Sequence, residues 1–127
     1  MKKQRPVNLG LKDLATIKMH PAAHASILHR ISGVIMVFVI GILLLTLSTS
    51  LSSAEGFAQI QGYLDGIFFK FIIFGCLSAL TFHVLAGVRH LFMDLGHFEE
   101  LASGNATAKV IMILWLALSA VIGVWLW

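Results

Sequence analysis

Three stretches of this chain are each long enough and apolar enough to cross a lipid bilayer, and that decides what it can fold into. They run from about Ile31 to Leu47, from Ile67 to Met93 and from Ala108 to Trp127, each near the ~20 residues an α-helix needs to traverse the hydrocarbon. A chain of 127 residues that is 58% hydrophobic and only 12% charged cannot cover itself with polar surface, so the segments read as membrane spans rather than core helices of a soluble domain. The expected fold class is an all-α membrane protein with three transmembrane helices, over about 26–50, 66–94 and 107–127, in one domain of residues 1–127. The polar stretches are brief, which leaves no room for a separate soluble catalytic domain. Hydrolytic or redox machinery then belongs largely to other chains.

Charge along the chain sets the expected topology. Lys2, Lys3, Arg5, Lys12, Lys18 and Arg30 precede the first apolar run, and Arg89 and Lys109 flank the second loop, Leu95 to Thr107. Basic residues favour the cytoplasmic side, so the 1–25 segment and that loop are expected there. The first loop, Ser48 to Asp65, carries Glu55 and Asp65 without a Lys or Arg, as suits the exported side. Lys70 is the one basic residue at that face, where its stem can snorkel. Trp125 and Trp127 stand where an interfacial aromatic anchor is expected, and Trp115 is lipid-facing or packed. Ser103-Gly104-Asn105 reads as a turn in the second loop. The charged N-terminal residues are separated from the first apolar run by a mixed stretch, unlike a cleaved signal peptide. A net charge of +3 is too small to imply nucleic acid. Cys76 stands alone in an apolar segment, offering neither a disulfide nor a Cys-x-x-Cys-His haem attachment, and reads as small core filler.

Within the second span, His83, Gly87, His90 and Asp94 share a helical stripe, with Arg89 beside it. An imidazole at membrane depth needs a partner, which makes His83 a functional candidate. It lies 11 residues before Asp94, roughly 16 Å of helical rise. Gly87 is expected to leave a notch on the same face where a flat ligand could approach backbone. His90, seven residues on and roughly 10 Å along the axis, can face the same cavity but cannot be the opposed axial ligand of one iron. On the residues alone, His83 could be a hydrogen-bonded structural group, a proton-relay member or a metal ligand.

A second cluster opens the first span: Ser26, His29, Arg30, Ser32 and Gly33, after His20-Pro21 and His24. Ser26 and Arg30 are spaced i to i+4 and His29 is i+3 from Ser26, so hydroxyl, imidazole and guanidinium can converge. A hydroxyl and a fixed cation at the membrane surface suit a quinone carbonyl or a haem propionate. The plainer alternatives are an interfacial arginine and a helix-capping serine.

The runs Ser26-x-x-His29-Arg30-x-Ser32-Gly33 and His83-x-x-x-Gly87-Val88-Arg89-His90-x-x-Met93-Asp94-x-Gly96, with Arg5-Pro6-Val7 and Leu51-Ser52-Ser53-x-Glu55-Gly56-Phe57, resemble the cytochrome b membrane anchors of succinate dehydrogenase, respiratory complex II. The likeness spans nearly the whole chain, departing from the family pattern between Lys12 and His20. It implies a bundle completed by a second small anchor subunit, one haem b between the two, and docking of an iron-sulfur subunit and a flavoprotein subunit on the cytoplasmic face, with a trimer of heterotetramers as one higher assembly. By the motif match His83 is the axial haem ligand, Ser26 and Arg30 bind ubiquinone as substrate, His29 and Arg30 meet the haem propionates, and His90 and Asp94 support that edge or a proton route. The active site would be complete only in the assembly. The competing readings are a fumarate reductase anchor using menaquinol and a non-haem proton-conducting membrane subunit.

Overall fold

The computed structural model describes residues 19–127 as four helices. Lys2, Lys3, Arg5-Pro6-Val7, Lys12 and Lys18, on which part of the expected topology rests, lie outside the described residues. Three of the helices are long and apolar enough to cross a membrane. They form an all-helical bundle, as the apolar runs predict.

Helix α1, Pro21–Ser52, starts earlier than its apolar run. Proline at the first helical position has the required φ and no N–H to strand there, and the N-cap His20 gives no side-chain cap. The Ala22 N–H is instead taken by Asn105 Oδ1 at 3.1 Å. At 32 residues the helix is about 48 Å long, longer than the ~30 Å of hydrocarbon, so its ends reach beyond it. Ser26 therefore sits well inside the helix and is not a cap, which removes the plainer reading of that residue.

The segment Ser48 to Asp65, expected as a loop between the first two spans, contains helix α2, Ala54–Asp65. Ser53 breaks from α1 in extended conformation and its hydroxyl accepts the Gly56 N–H at 2.9 Å, a serine N-cap. Gly56 permits the fold-back, because a Cβ there would clash with the Thr49 carbonyl and the Ser52 hydroxyl. Glu55 lies in the first turn, where a carboxylate complements the helix dipole. Its own backbone N–H and the Ser53 hydroxyl hold its pKa below the ordinary carboxylate value.

Helix α3, Ile67–Asp94, is the centre of the bundle, packed on both α1 and α4. It ends at Gly96, whose φ of +82° is the left-handed conformation that closes helices, with the His97 N–H donated to the Phe92 carbonyl at 3.0 Å. Helix α4, Leu101–Leu126, begins before the expected span, so Ser103-Gly104-Asn105 forms its first turn rather than a loop. Close packing is the reason these small residues stand there. Gly104 is buried, and its carbonyl accepts from Arg89 Nη2 at 3.0 Å while Arg89 Nε donates to Thr107 Oγ1 at 3.1 Å. Arg89, expected as a flanking cytoplasmic charge, is instead 5% exposed and clasps α3 to α4.

Small side chains let the helices approach closely: Ala25, Ala86 and Ala108 pack with Phe82 and Ile111, and Met36, Val39 and Cys76 form a second cluster. Cys76 is thus core filler. A polar clasp joins α3 to α4 near mid-bundle, with Ser78 Oγ 2.7 Å from Ser119 Oγ and Trp115 Nε1 donating to the Ser78 carbonyl at 3.0 Å. Trp115 also packs edge-on against Phe82. Trp115→Phe keeps the ring and deletes the donor, and is expected to cost about 1 kcal/mol, read as a lower unfolding midpoint of the detergent-solubilised complex. At the other end Lys70 Nζ lies 5.9 Å from the centre of the Trp127 ring, which packs on Phe71 and Phe74. Exposed apolar side chains such as Val37, Phe38 and Val124 cover the outside, as a lipid- or helix-facing surface requires.

Candidate functional site

Three imidazoles from two helices form one stack near one end of the bundle. The ring of His29, on α1, lies between His83 and His90 of α3, with centroids 4.4 Å from the first at 26° and 4.9 Å from the second at 30°. The seven-residue spacing on α3 accounts for this, because a rise of about 10 Å leaves room for one planar ring between the two. The shared face of His83 and His90 is therefore as the spacing predicts, but the gap between them holds a side chain of α1.

The His29 ring passes close to Gly87, where a Cβ would lie in ordinary van der Waals contact with Nε2, at 3.5 Å. The notch expected to face a flat ligand is lined by this imidazole. From the other helix Gly33 faces His83 in the same way, with a Cβ there lying 3.4 Å from Cε1. Each helix thus sets one glycine beside a histidine of its neighbour.

The ring nitrogens differ in their partners. His83 Nδ1 lies 2.9 Å from Ser32 Oγ, and that hydroxyl also donates to the His29 carbonyl at 2.8 Å. Ser32 is 6% exposed. The sequence holds Ser32 within a motif without giving it a role, because no spacing within α1 reveals a partner on α3. His29 Nε2 is buried and has no hydrogen-bond partner among the described residues. Leaving such an atom unmet costs roughly 1–3 kcal/mol, which favours a bound group that meets it.

The remaining candidates surround the stack. Arg30 is exposed, and Ser26, one turn earlier on α1, is half-buried; neither makes a hydrogen bond among the described residues. His90 lies within the electrostatic reach of Arg89, Asp94 and Arg30, and Asp94 is exposed as the last residue of α3. The structure thus brings His29, His83 and His90 together, with Arg30 and Asp94 near the His90 end, and forms no hydrogen bond from Ser26 to any of them among the described residues. Stacked rings do not aim their nitrogens at one point. Among the described residues no three His, Cys, Asp or Glu side chains could enclose a bare metal ion.

This donor set fits haem b. A single imidazole at membrane depth can supply one axial bond, an unmet buried ring nitrogen that carries a hydrogen can donate it to a propionate, and an exposed guanidinium can balance a propionate charge.

Comparison with known proteins gives the arrangement its context. The model of a family described as succinate dehydrogenase/fumarate reductase transmembrane subunit matches residues 1–123. The chain is 36% identical over 128 residues to the succinate dehydrogenase cytochrome b556 subunit of Coxiella burnetii, with 100% of each covered. It is 32% identical over 112 residues to the protein of the same name from Paracoccus denitrificans, covering 84% of this chain and 85% of that one.

Proposed function

The chain belongs to the family of succinate dehydrogenase/fumarate reductase transmembrane subunits, and from that premise we propose how its residues serve haem and quinone. It is a multi-pass membrane protein and the cytochrome b membrane-anchor subunit of succinate dehydrogenase, one part of an oxidoreductase complex.

In the proposed assembly His83 would hold a haem b through a ring nitrogen, and a second small anchor subunit would contribute a further ligand. Haem b when bound supplies a one-electron redox centre between the two anchors. His29 and Arg30 hold its propionates, the first through the unmet Nε2 and the second through charge. Ser26 and Arg30 hold ubiquinone at the cytoplasmic end of α1. The Ser26 hydroxyl donates a hydrogen bond to a quinone carbonyl, and the Arg30 guanidinium stabilises negative charge there without changing its own protonation. His90 and Asp94, one helical turn apart, give a proton a path from the cytoplasmic face. The iron-sulfur and flavoprotein subunits dock on that same face of a bacterial inner membrane, with the N-terminus beside them.

The observation that carries this reading is the histidine stack, in which a ring at membrane depth is anchored through Nδ1 and its neighbour's Nε2 is left unmet. It is tested on the complex purified through a tag on this chain, by a reduced-minus-oxidised spectrum and the masses of the co-purifying polypeptides. A b-type band with three companion chains is expected. A stable complex with ubiquinone-linked turnover and no haem band would rule out the haem assignment.

A further inference from the structure

We infer that Ser32 is a positioning residue, which selects the tautomer of His83 and so presents Nε2 to the haem iron. The inference rests on the reading of His83 as axial ligand and adds the group that makes it one.

A serine hydroxyl has one hydrogen and two acceptor lone pairs. In this structure the hydrogen is directed at the His29 carbonyl, one turn back on the same helix, at 2.8 Å. The remaining short contact, 2.9 Å to His83 Nδ1, is then completed only if Nδ1 carries a proton and donates it. A neutral imidazole protonated on Nδ1 has its lone pair on Nε2, the form that bonds iron. The opposite assignment would protonate Nε2 and abolish its capacity as a ligand. Ser32 is buried at the α1–α3 contact, so water does not readily replace it. The ring is also restrained by the His29 face 4.4 Å away. Orientation and tautomer are thus set by different groups, and only the hydroxyl sets the tautomer.

Hydrogen-bond donation from the distal nitrogen makes a ligating imidazole more basic. A more basic ligand favours ferric over ferrous iron, so removing the acceptor is expected to raise the haem midpoint potential and weaken the axial bond.

The test compares Ser32→Ala and Ser32→Thr in the assembled complex, with haem potentiometry, the low-spin ferric electron paramagnetic resonance signal and carbon monoxide binding by the reduced form. Threonine retains a hydroxyl that can make the same backbone bond. The expected result is an upward shift of the midpoint and a fraction of carbon-monoxide-reactive haem in Ser32→Ala, with both returned toward the parent values in Ser32→Thr. Loss of haem from Ser32→Ala with retention in Ser32→Thr also supports the proposal. An unchanged potential and signal in Ser32→Ala overturns it, as does an equal change or equal haem loss in both variants, which would indicate packing instead of the hydroxyl. Failure of the underlying ligand assignment is separately visible, because His83→Leu would then leave the low-spin signal unaltered.

Discussion

Replacing His83 by leucine is expected to abolish the six-coordinate, low-spin b-type signature of the purified complex. One axial bond comes from this chain in the proposed assembly, and leucine has no atom to make it. Haem then either leaves or remains on the partner anchor's ligand alone, five-coordinate and open to carbon monoxide. Both outcomes remove the low-spin ferric signal, and an unaltered spectrum would refute the ligand role. The bundle itself should tolerate the change. Ser32 keeps its bond to the His29 carbonyl, and the half-buried position of His83 accepts an apolar side chain of similar reach at a cost on the order of 1 kcal/mol. Assembly of the companion polypeptides in normal ratio is the control that separates haem loss from misfolding.

The second large effect is expected at Arg30. Arg30→Leu should reduce ubiquinone reductase activity about tenfold to a hundredfold, the equivalent of the roughly 1.5–3 kcal/mol carried by a hydrogen bond to a charged group. Succinate oxidation measured with a soluble artificial acceptor should stay within about twofold of the parent, since Arg30 lies in the membrane anchor. Equal loss of both activities would contradict a quinone role and point to impaired assembly. Arg30 is exposed and free of hydrogen bonds among the described residues, so its loss breaks no hydrogen bond within the described bundle. Lysine is not an equivalent replacement, because a point charge does not reproduce the planar fork of donors.

The spans were legible because apolar length is a direct physical requirement of the bilayer. Their ends were not, because the polar residues there are satisfied by tertiary partners. Helix α1 extends to Pro21 with Asn105 of α4 accepting the Ala22 N–H, a bond across 83 positions of sequence that no local signal announces. Ser103-Gly104-Asn105 has turn chemistry, yet it opens α4 because Arg89 needs the close approach and the carbonyl that Gly104 provides. Helix α2 carried a local signal that composition obscured: Ser53 is a good N-cap and Phe57, Ile60 and Leu64 recur at helical spacing, within a segment otherwise rich in Ser and Gly.

The site divides in the same way. That His83 and His90 share a face follows from the seven-residue interval, and that Ser26 and Arg30 are one turn apart follows from four. Insertion of His29 between the two histidines depends on how α1 lies against α3, as does the bond from His83 to Ser32. Glycines at 33 and 87 signalled close approach in the sequence, but not that the approaching groups would be the histidines of the neighbouring helix.

The most direct measurement is a density map of the complex isolated from membranes, at a resolution that separates ring nitrogens from iron. Continuous density from His83 Nε2 to the metal of a tetrapyrrole, with a ligand from the neighbouring anchor on the opposite side, is the predicted result. A His83 ring bonded to protein groups alone, with no tetrapyrrole between the anchors, would contradict the account.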